Sequence, residues 1–263
     1  MKCPTATLIK VVFLLVLLGS LTYYQLRPFQ SEPAAPLAQV APDTAGYPQR
    51  LRALAQRRTA LATRYQQADT GPEKAALQRQ ARQLLITALH TDIWPTWYGT
   101  PWAFYGTTQT PQRGSIACGY FVTTTLRDAG IRLERVALAK TTSESLVKNL
   151  TDEAHIHRYS LVPQRSFVQQ VQQLGDGLYV VGLDFHVGFL LVDKGEVRFI
   201  HSTYLGESTV VDEEAATAPA LRSNYRVVGC LSADPHFIES WLKQKQFVYP
   251  APKSRPAPKG KRT

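Results

Sequence analysis

Cysteine is scarce, with only Cys3, Cys118 and Cys230 in a chain of 263 residues. So small a number excludes a disulfide-stapled scaffold, and without a Cys-x-x-Cys pair there is no zinc ribbon. Acidic residues are also few, 20 against 30 Lys and Arg, which leaves a net charge of +10. That surplus suits a polyanionic neighbour: nucleic acid, phospholipid or an acidic wall polymer. No Walker loop, Gly-x-Gly-x-x-Gly, His-Glu-x-x-His or Gly-x-Ser-x-Gly run occurs. Phosphate-loop, dinucleotide, zincin and serine-elbow chemistries therefore have no motif to stand on. Long apolar runs are missing after the first thirty residues, which excludes a multi-span membrane protein. The 44% hydrophobic content excludes wholesale disorder.

The one long apolar run is N-terminal. Lys2 and Lys10 precede an uninterrupted stretch over 11–18, extendable to 8–26 with Tyr23 and Tyr24 at an interface. No good small-x-small cleavage site follows, and no cysteine follows for lipidation. Residues 1–26 read as a signal anchor, with a cleaved signal peptide as the alternative. The positive-inside rule then places the body outside the cytoplasm, in the periplasm or at the cell surface, and removes nucleic acid as partner. Residues 27–48, rich in Pro and Ala, read as a stiff linker.

Residues 49–92 carry two helical periods. Leu51, Leu54, Leu61 and Tyr65 mark the first, over 49–67. Leu77, Ala81, Leu84, Leu85 and Ala88 mark the second, over 73–89, after a break at Thr70-Gly71-Pro72. A helical hairpin is expected, with Arg50, Arg52, Arg57, Arg58 and Arg64 on a solvated face or against an anionic surface. The tail 251–263, alternating Pro with Lys and Arg, is expected to be disordered.

Residues 93–250 hold the chemistry. Aromatics interleaved with Gly, Pro and Thr from Trp94 onward read as a cleft wall, with Trp97, Trp102 and Tyr105 as substrate contacts. Cys118 opens a helical run stopped by Gly130. The helix N-terminus is expected to lower its pKa and make it a nucleophile. A disulfide with Cys230 would consume that nucleophile, so both are expected as free thiols. Two apolar strands surround a turn at Asp193-Lys194-Gly195-Glu196. If Val192 faces Val197, Gly188 lies opposite His201, and His186 and His201 emerge on one face as diagonal neighbours. A one-residue slip would separate them. His186 then serves as base, its ring within about 4 Å of the Cys118 sulfur, and His201 orients it.

The order Cys, then His-Val-Gly, then Ile-His-Ser resembles the NlpC-type cell-wall cysteine peptidases of the papain-like superfamily. Gly99-Thr100-Pro101-Trp102, Phe104-Tyr105-Gly106 and Cys118-Gly119 are similar to that family's approach to its nucleophile. The resemblance implies an α+β papain-like domain, a helix bearing the nucleophile packed on an antiparallel sheet. Its catalytic Cys, base and orienting residue would fall on Cys118, His186 and His201. It implies a thiol hydrolase of peptide or amide bonds in peptidoglycan, needing no metal or cofactor. The partner would be peptidoglycan or another anionic envelope polymer, with the membrane contacted through the N-terminal segment.

Two alternatives stay open. One is a papain-like acyltransferase or lipid-directed thiol enzyme. The other is an inactive, membrane-tethered envelope-binding module, supported by Ala117-Cys118-Gly119-Tyr120 where the family has Asp-Cys-Ser-Gly. His155 and His157 lack a nearby third metal ligand in sequence, and Asp212-Glu213-Glu214 reads as a solvated loop.

Overall fold

Tyr47 begins the first helix of the computed structural model, which describes residues 44–247. The signal anchor, the linker up to residue 43 and the basic tail lie outside the described residues. Two helices come first, α1 (Tyr47–Gln67) and α2 (Gly71–Thr87). Thr70 caps α2 by accepting from the Glu73 N–H at 3.3 Å, and Pro72 occupies its first turn. The winding loosens into a π-helical segment (Ala88–Ile93) and ends in a single turn, α3 (Trp94–Trp97). Four more helices follow before the last strand: α4 (Cys118–Asp128), α5 (Arg135–Ala139), α6 (Ser143–Leu150) and α7 (Gln164–Gln173). Helix α8 (Pro235–Leu242) closes the described chain.

The sheet is antiparallel throughout. Its strands are β1 (Ile156–Ser160), β2 (Gly177–Leu183), β3 (Val187–Asp193), β4 (Glu196–Ser202), β5 (Val210–Glu214) and β6 (Tyr225–Cys230). They lie in the order β1-β6-β2-β3-β4-β5, an α+β arrangement. Strands β2 and β3 are apolar at nearly every position because both faces of the sheet are covered. Phe189, Leu191 and Val180 share a core with Phe121 of α4 and Trp241 of α8, while Leu190, Val192 and Val181 pack with Phe167 of α7.

The register between β3 and β4 is the expected one: Val192 pairs with Val197 and Phe189 with Ile200. The expected pair of strands is a set of three, however. The chain reverses at residues 184–186, where the Asp184 carboxylate accepts from Ser223 Oγ (2.8 Å) and Asn224 N (2.8 Å). His186 therefore stands just ahead of β3, not within it.

The helical hairpin belongs to the same compact unit as the sheet. Leu54, Leu77, Leu84 and Leu85 all enter the core that contains Phe121 and Trp241. Four buried leucines at roughly 2 kcal/mol each match much of the net stability of a typical domain, about 5–15 kcal/mol. A polar link adds direction. The Trp97 indole donates to Tyr47 Oη (3.0 Å), which donates to Asp128 Oδ2 (2.7 Å) at the end of α4.

Trp97 is thereby corrected as a substrate contact. It is fully buried, packed on Phe121 in the core, because residues 94–97 continue the helical winding instead of forming a cleft wall.

Candidate active site

Cys118 is placed by three strands of chain. The Gly99-Thr100-Pro101-Trp102 segment runs beside the start of β5, with Gly99 N donating to Val210 O (2.8 Å) and Trp102 N to Ser208 O (2.7 Å). That strap receives the residues leading to the nucleophile. Ile116 N donates to Pro101 O (2.9 Å) and Ala117 N to Gly106 O (2.9 Å). Ser202, at the end of β4, donates from Oγ to Ile116 O at 2.7 Å, with both groups buried. Gly106 is required by contact, since a Cβ there would meet Ile116 N at 2.6 Å. Ala117 is extended, and α4 begins with Cys118 itself.

The helix start turns backbone donors onto the sulfur: the N–H groups of Gly119 and Cys118, joined by that of Val187 at the head of β3. They favour the thiolate, but burial outweighs them and pushes the thiol above its ordinary value. The expected depression by the helix N-terminus is overturned for this reason. At rest Cys118 is a thiol, so it would need a base to act as a nucleophile.

The neighbouring histidines have a defined proton order. His186 Nε2 and His201 Nδ1 are 2.7 Å apart, and His201 Nε2 lies 2.9 Å from Glu213 Oε2. Burial holds both histidines below the ordinary value of 6.5, His186 well below, so both are neutral at pH 7. An ionised carboxylate only accepts, which assigns the His201 proton to Nε2 and leaves Nδ1 as an acceptor. His186 must then donate from Nε2, which leaves a lone pair on its Nδ1. That atom is buried and has no partner in the structure.

Cys118 and His186 line two shared cavities, of about 910 and 260 Å³. No hydrogen bond joins the sulfur to the ring among the described residues, so the expected contact within about 4 Å is not made as a bond here. Catalytic contacts of this kind commonly tighten only when substrate arrives. The larger cavity is walled by Trp102, Phe104, Tyr105, Tyr120, Phe185 and Tyr204, with Lys140 its one charged side chain. Phe104, Tyr105 and Phe185 are strongly exposed, the last at 92%.

No family model, curated protein or solved structure matches this chain.

Of the residues expected at the site, the fold brings Cys118, His186, His201, Trp102 and Tyr105 together around one cavity system; Trp97 alone stands elsewhere. Two neighbours were missed by the sequence reading. Tyr204 stands edge-on to His186, centroids 5.7 Å apart, and contacts Trp102. Glu213 was assigned to a solvated loop, yet residues 210–214 form β5, which pairs His201 with Val211. Residue 213 is two positions on, the diagonal neighbour on the same face. Reading 210–214 as a strand would have found it. Asp212 is likewise engaged, by Arg198 at 2.8 Å and Tyr98 Oη at 3.2 Å.

One other group of metal-capable side chains exists among the described residues. Asp152, His155 and Asp234 bring ligand atoms within 4.8 Å of one another. Asp234 is committed to capping α8 through His236 N (2.8 Å) and to Thr151 Oγ1 (3.1 Å), and His155 Nδ1 is hydrogen-bonded to Asp152 Oδ1 at 2.6 Å. None of the three lines the Cys118 cavities.

Cys118 and Cys230 are both free thiols. Native, unreduced protein should therefore label at Cys118 with a small maleimide, while buried Cys230 reacts only after unfolding. Peptide mapping of the adducts checks this, and a thiol released only by reductant would contradict it.

Gly188 gives a sharper test of the histidine pair. An added Cβ would sit 2.6 Å from Phe199 Cε2, 2.8 Å from His201 Cβ and 3.0 Å from Ile200 O. The Phe199 ring stacks on His201 at 3.9 Å, so neither can yield without moving the other. Gly188→Ala is expected to cost about 1–3 kcal/mol, read as a lower urea midpoint, and to lower activity by displacing His201.

Proposed function

We propose that this protein is a papain-like thiol hydrolase of the bacterial envelope that cleaves peptide or amide bonds of peptidoglycan by acyl transfer. The observation that carries this reading is the partnerless, buried Nδ1 of His186, a residue backed by His201 and Glu213 that lines the same cavities as Cys118, a cysteine at a helix start. A buried lone pair without a donor costs stability, and the proton of the Cys118 thiol would satisfy it.

The steps follow from the atoms present. Cys118 Sγ–H gives its proton to His186 Nδ1 while the sulfur attacks the carbonyl carbon. His201 and Glu213 hold the Nε2 side of the imidazolium so formed. Backbone N–H groups around Cys118 hold the developing oxyanion. The C–N bond then breaks, the amine leaves with the proton from His186, and a thioester remains on Cys118. Water enters, gives one proton to His186 and adds its oxygen to the thioester carbonyl; loss of the sulfur releases the acid. His186 returns the proton to the thiolate.

One observation favours a second substrate class, an acylated amphiphile. The Cys118 cavity is mostly apolar, and its mouth carries Phe104, Tyr105 and Phe185 in the open. No helix of the described residues is long and apolar enough to cross a membrane, so under this reading the rim and the N-terminal segment would make the lipid contact.

Digestion of purified peptidoglycan separates the two. Full-length protein is expected to release soluble peptide fragments from the wall, identified by mass. If it releases none but hydrolyses N-acyl amides in detergent micelles, the lipid reading replaces the wall reading. If it cleaves neither, the hydrolase proposal falls.

A further inference from the structure

We propose that the cavity on the other side of the His186 wall is a subsite for a carboxylate of the substrate, a specificity element that rests on the hydrolase reading above. The cavity holds about 560 Å³ and shares Phe185, His186 and Tyr204 with the apolar cavity at Cys118. Its chemistry differs.

Arg226 lies in its wall, the one charge in the otherwise uncharged strand β6, and is 2% exposed. Its Nε donates to Leu221 O (3.0 Å) and its Nη1 to Val162 O (2.8 Å), and the guanidinium lies 4.8 Å over the Phe167 ring. Among the described residues, Nη2 has no acceptor and no carboxylate is hydrogen-bonded to the group, although the charge of Asp184 acts on it from the same cavity wall. Nor is Nη2 among the sealed, unpartnered atoms, so the open edge of this buried cation is the one that borders the cavity. Burying a guanidinium costs several kcal/mol unless partners replace its water. Two carbonyls and a ring supply part of that, and an anion in the cavity would supply the rest.

Arg222 stands exposed at the rim of the same cavity, and its side chain makes no hydrogen bond or ion pair among the described residues. Asp184 also borders the cavity; Ser223 Oγ, Asn224 N and Tyr225 N, the last at 3.4 Å, all donate to its Oδ2, so its charge is held by the turn and sets one negative group against the two guanidinium groups. Two guanidinium groups against one carboxylate leave the lining one positive charge in surplus, which suits a monoanion better than a phosphate dianion. A guanidinium edge prefers a carboxylate to the neutral carboxamide of the same shape. The wall at His186 thus divides an apolar pocket from an anion-binding one, and a peptide lying across it would need an acidic group on one side only.

The test uses the full chain with Cys118→Ala, so that binding is read without turnover. The probe is a synthetic wall-type tetrapeptide, Ala-γ-D-Glu-Lys-D-Ala, with its carboxylates free or converted to carboxamides. Calorimetry should show the free-carboxylate form binding about tenfold more tightly, with the preference shrinking as salt rises. Adding Arg222→Ala should narrow the ratio to about threefold or less. Arg226→Lys, which keeps a charge but loses the free N–H edge, should narrow it further. If Arg226→Lys fails to fold by thermal melting, Arg222→Glu replaces it and should reverse the preference. Equal binding of the two forms, binding of neither, or a ratio untouched by these substitutions would overturn the subsite. A wild-type enzyme that cleaves both forms alike would leave the hydrolase standing and remove the subsite. Selective binding without any cleavage would do the opposite.

Discussion

Replacing Cys118 by alanine is expected to lower fragment release from peptidoglycan by about four to six orders of magnitude, while sedimentation with the insoluble wall is retained. The size of the loss follows from covalency. Without the sulfur no thioester forms, and only the binding groups and backbone N–H donors at the start of α4 remain to stabilise charge. Retention of binding follows from the separation of roles: the aromatic walls and basic surface do not depend on the thiol. Comparing release and sedimentation on the same preparation decides the matter. A Cys118→Ala protein that still releases fragments would show that the chemistry lies elsewhere. Wild-type protein that binds the wall and releases nothing would favour the non-catalytic binding module.

The second large effect is graded along the proton chain. His186→Ala is expected to cost about 10⁴-fold in kcat/KM, because a thiol held above its ordinary pKa has no other acceptor for its proton. His201→Gln should be milder. Glu213→Gln should cost about 10- to 100-fold, the usual range when a carboxylate that orients a histidine is neutralised. The pH profile separates an electrostatic role from a purely structural one. Burial already places the histidines below 6.5, so the acid limb of wild-type activity should lie below that value. Glu213 opposes this shift at His201 by favouring its charged form. Removing the carboxylate should therefore move the acid limb to still lower pH as the plateau falls. The groups facing the pair are Glu213 and Asp212 from β5 and Cys118 from α4, and Asp212 is occupied by Arg198. Glu213→Asp should restore part of the plateau. A plateau that falls without movement of the limb would reduce Glu213 to a packing residue.

Much of this site was legible in the sequence because the signals were local. A two-residue turn between Asp193 and Glu196 fixes the β3–β4 register, which carries Gly188 against His201 and so brings the head of β3, where His186 stands, to that histidine. Helix α4 was bounded by Cys118 and Gly130, one at its start and one just past its end. What stayed hidden needed contacts distant in sequence. Trp94 and Trp97 sit among Gly, Pro and Thr as cleft residues do, and only packing on Phe189 and Phe121 makes them core. The reversal at 184–186 depends on Ser223 and Asn224, about forty residues away. Glu213 lies in a short, charged edge strand, a pattern that composition assigns to solvent. The pKa of Cys118 turned on burial, which a helix-end argument does not measure.

The place of β6 in the sheet has a consequence for how this protein is made. Strand β1 holds to the sheet only through β6, which enters between β1 and β2 from more than sixty residues further along the chain. Until residue 230 has emerged from the ribosome, or from an export channel, the facing edges of β1 and β2 stay open. The nascent chain therefore completes its sheet last and all at once. A chain arrested before β6 should aggregate or be degraded, and holding the polypeptide unfolded until its final strand has passed becomes a task for chaperones.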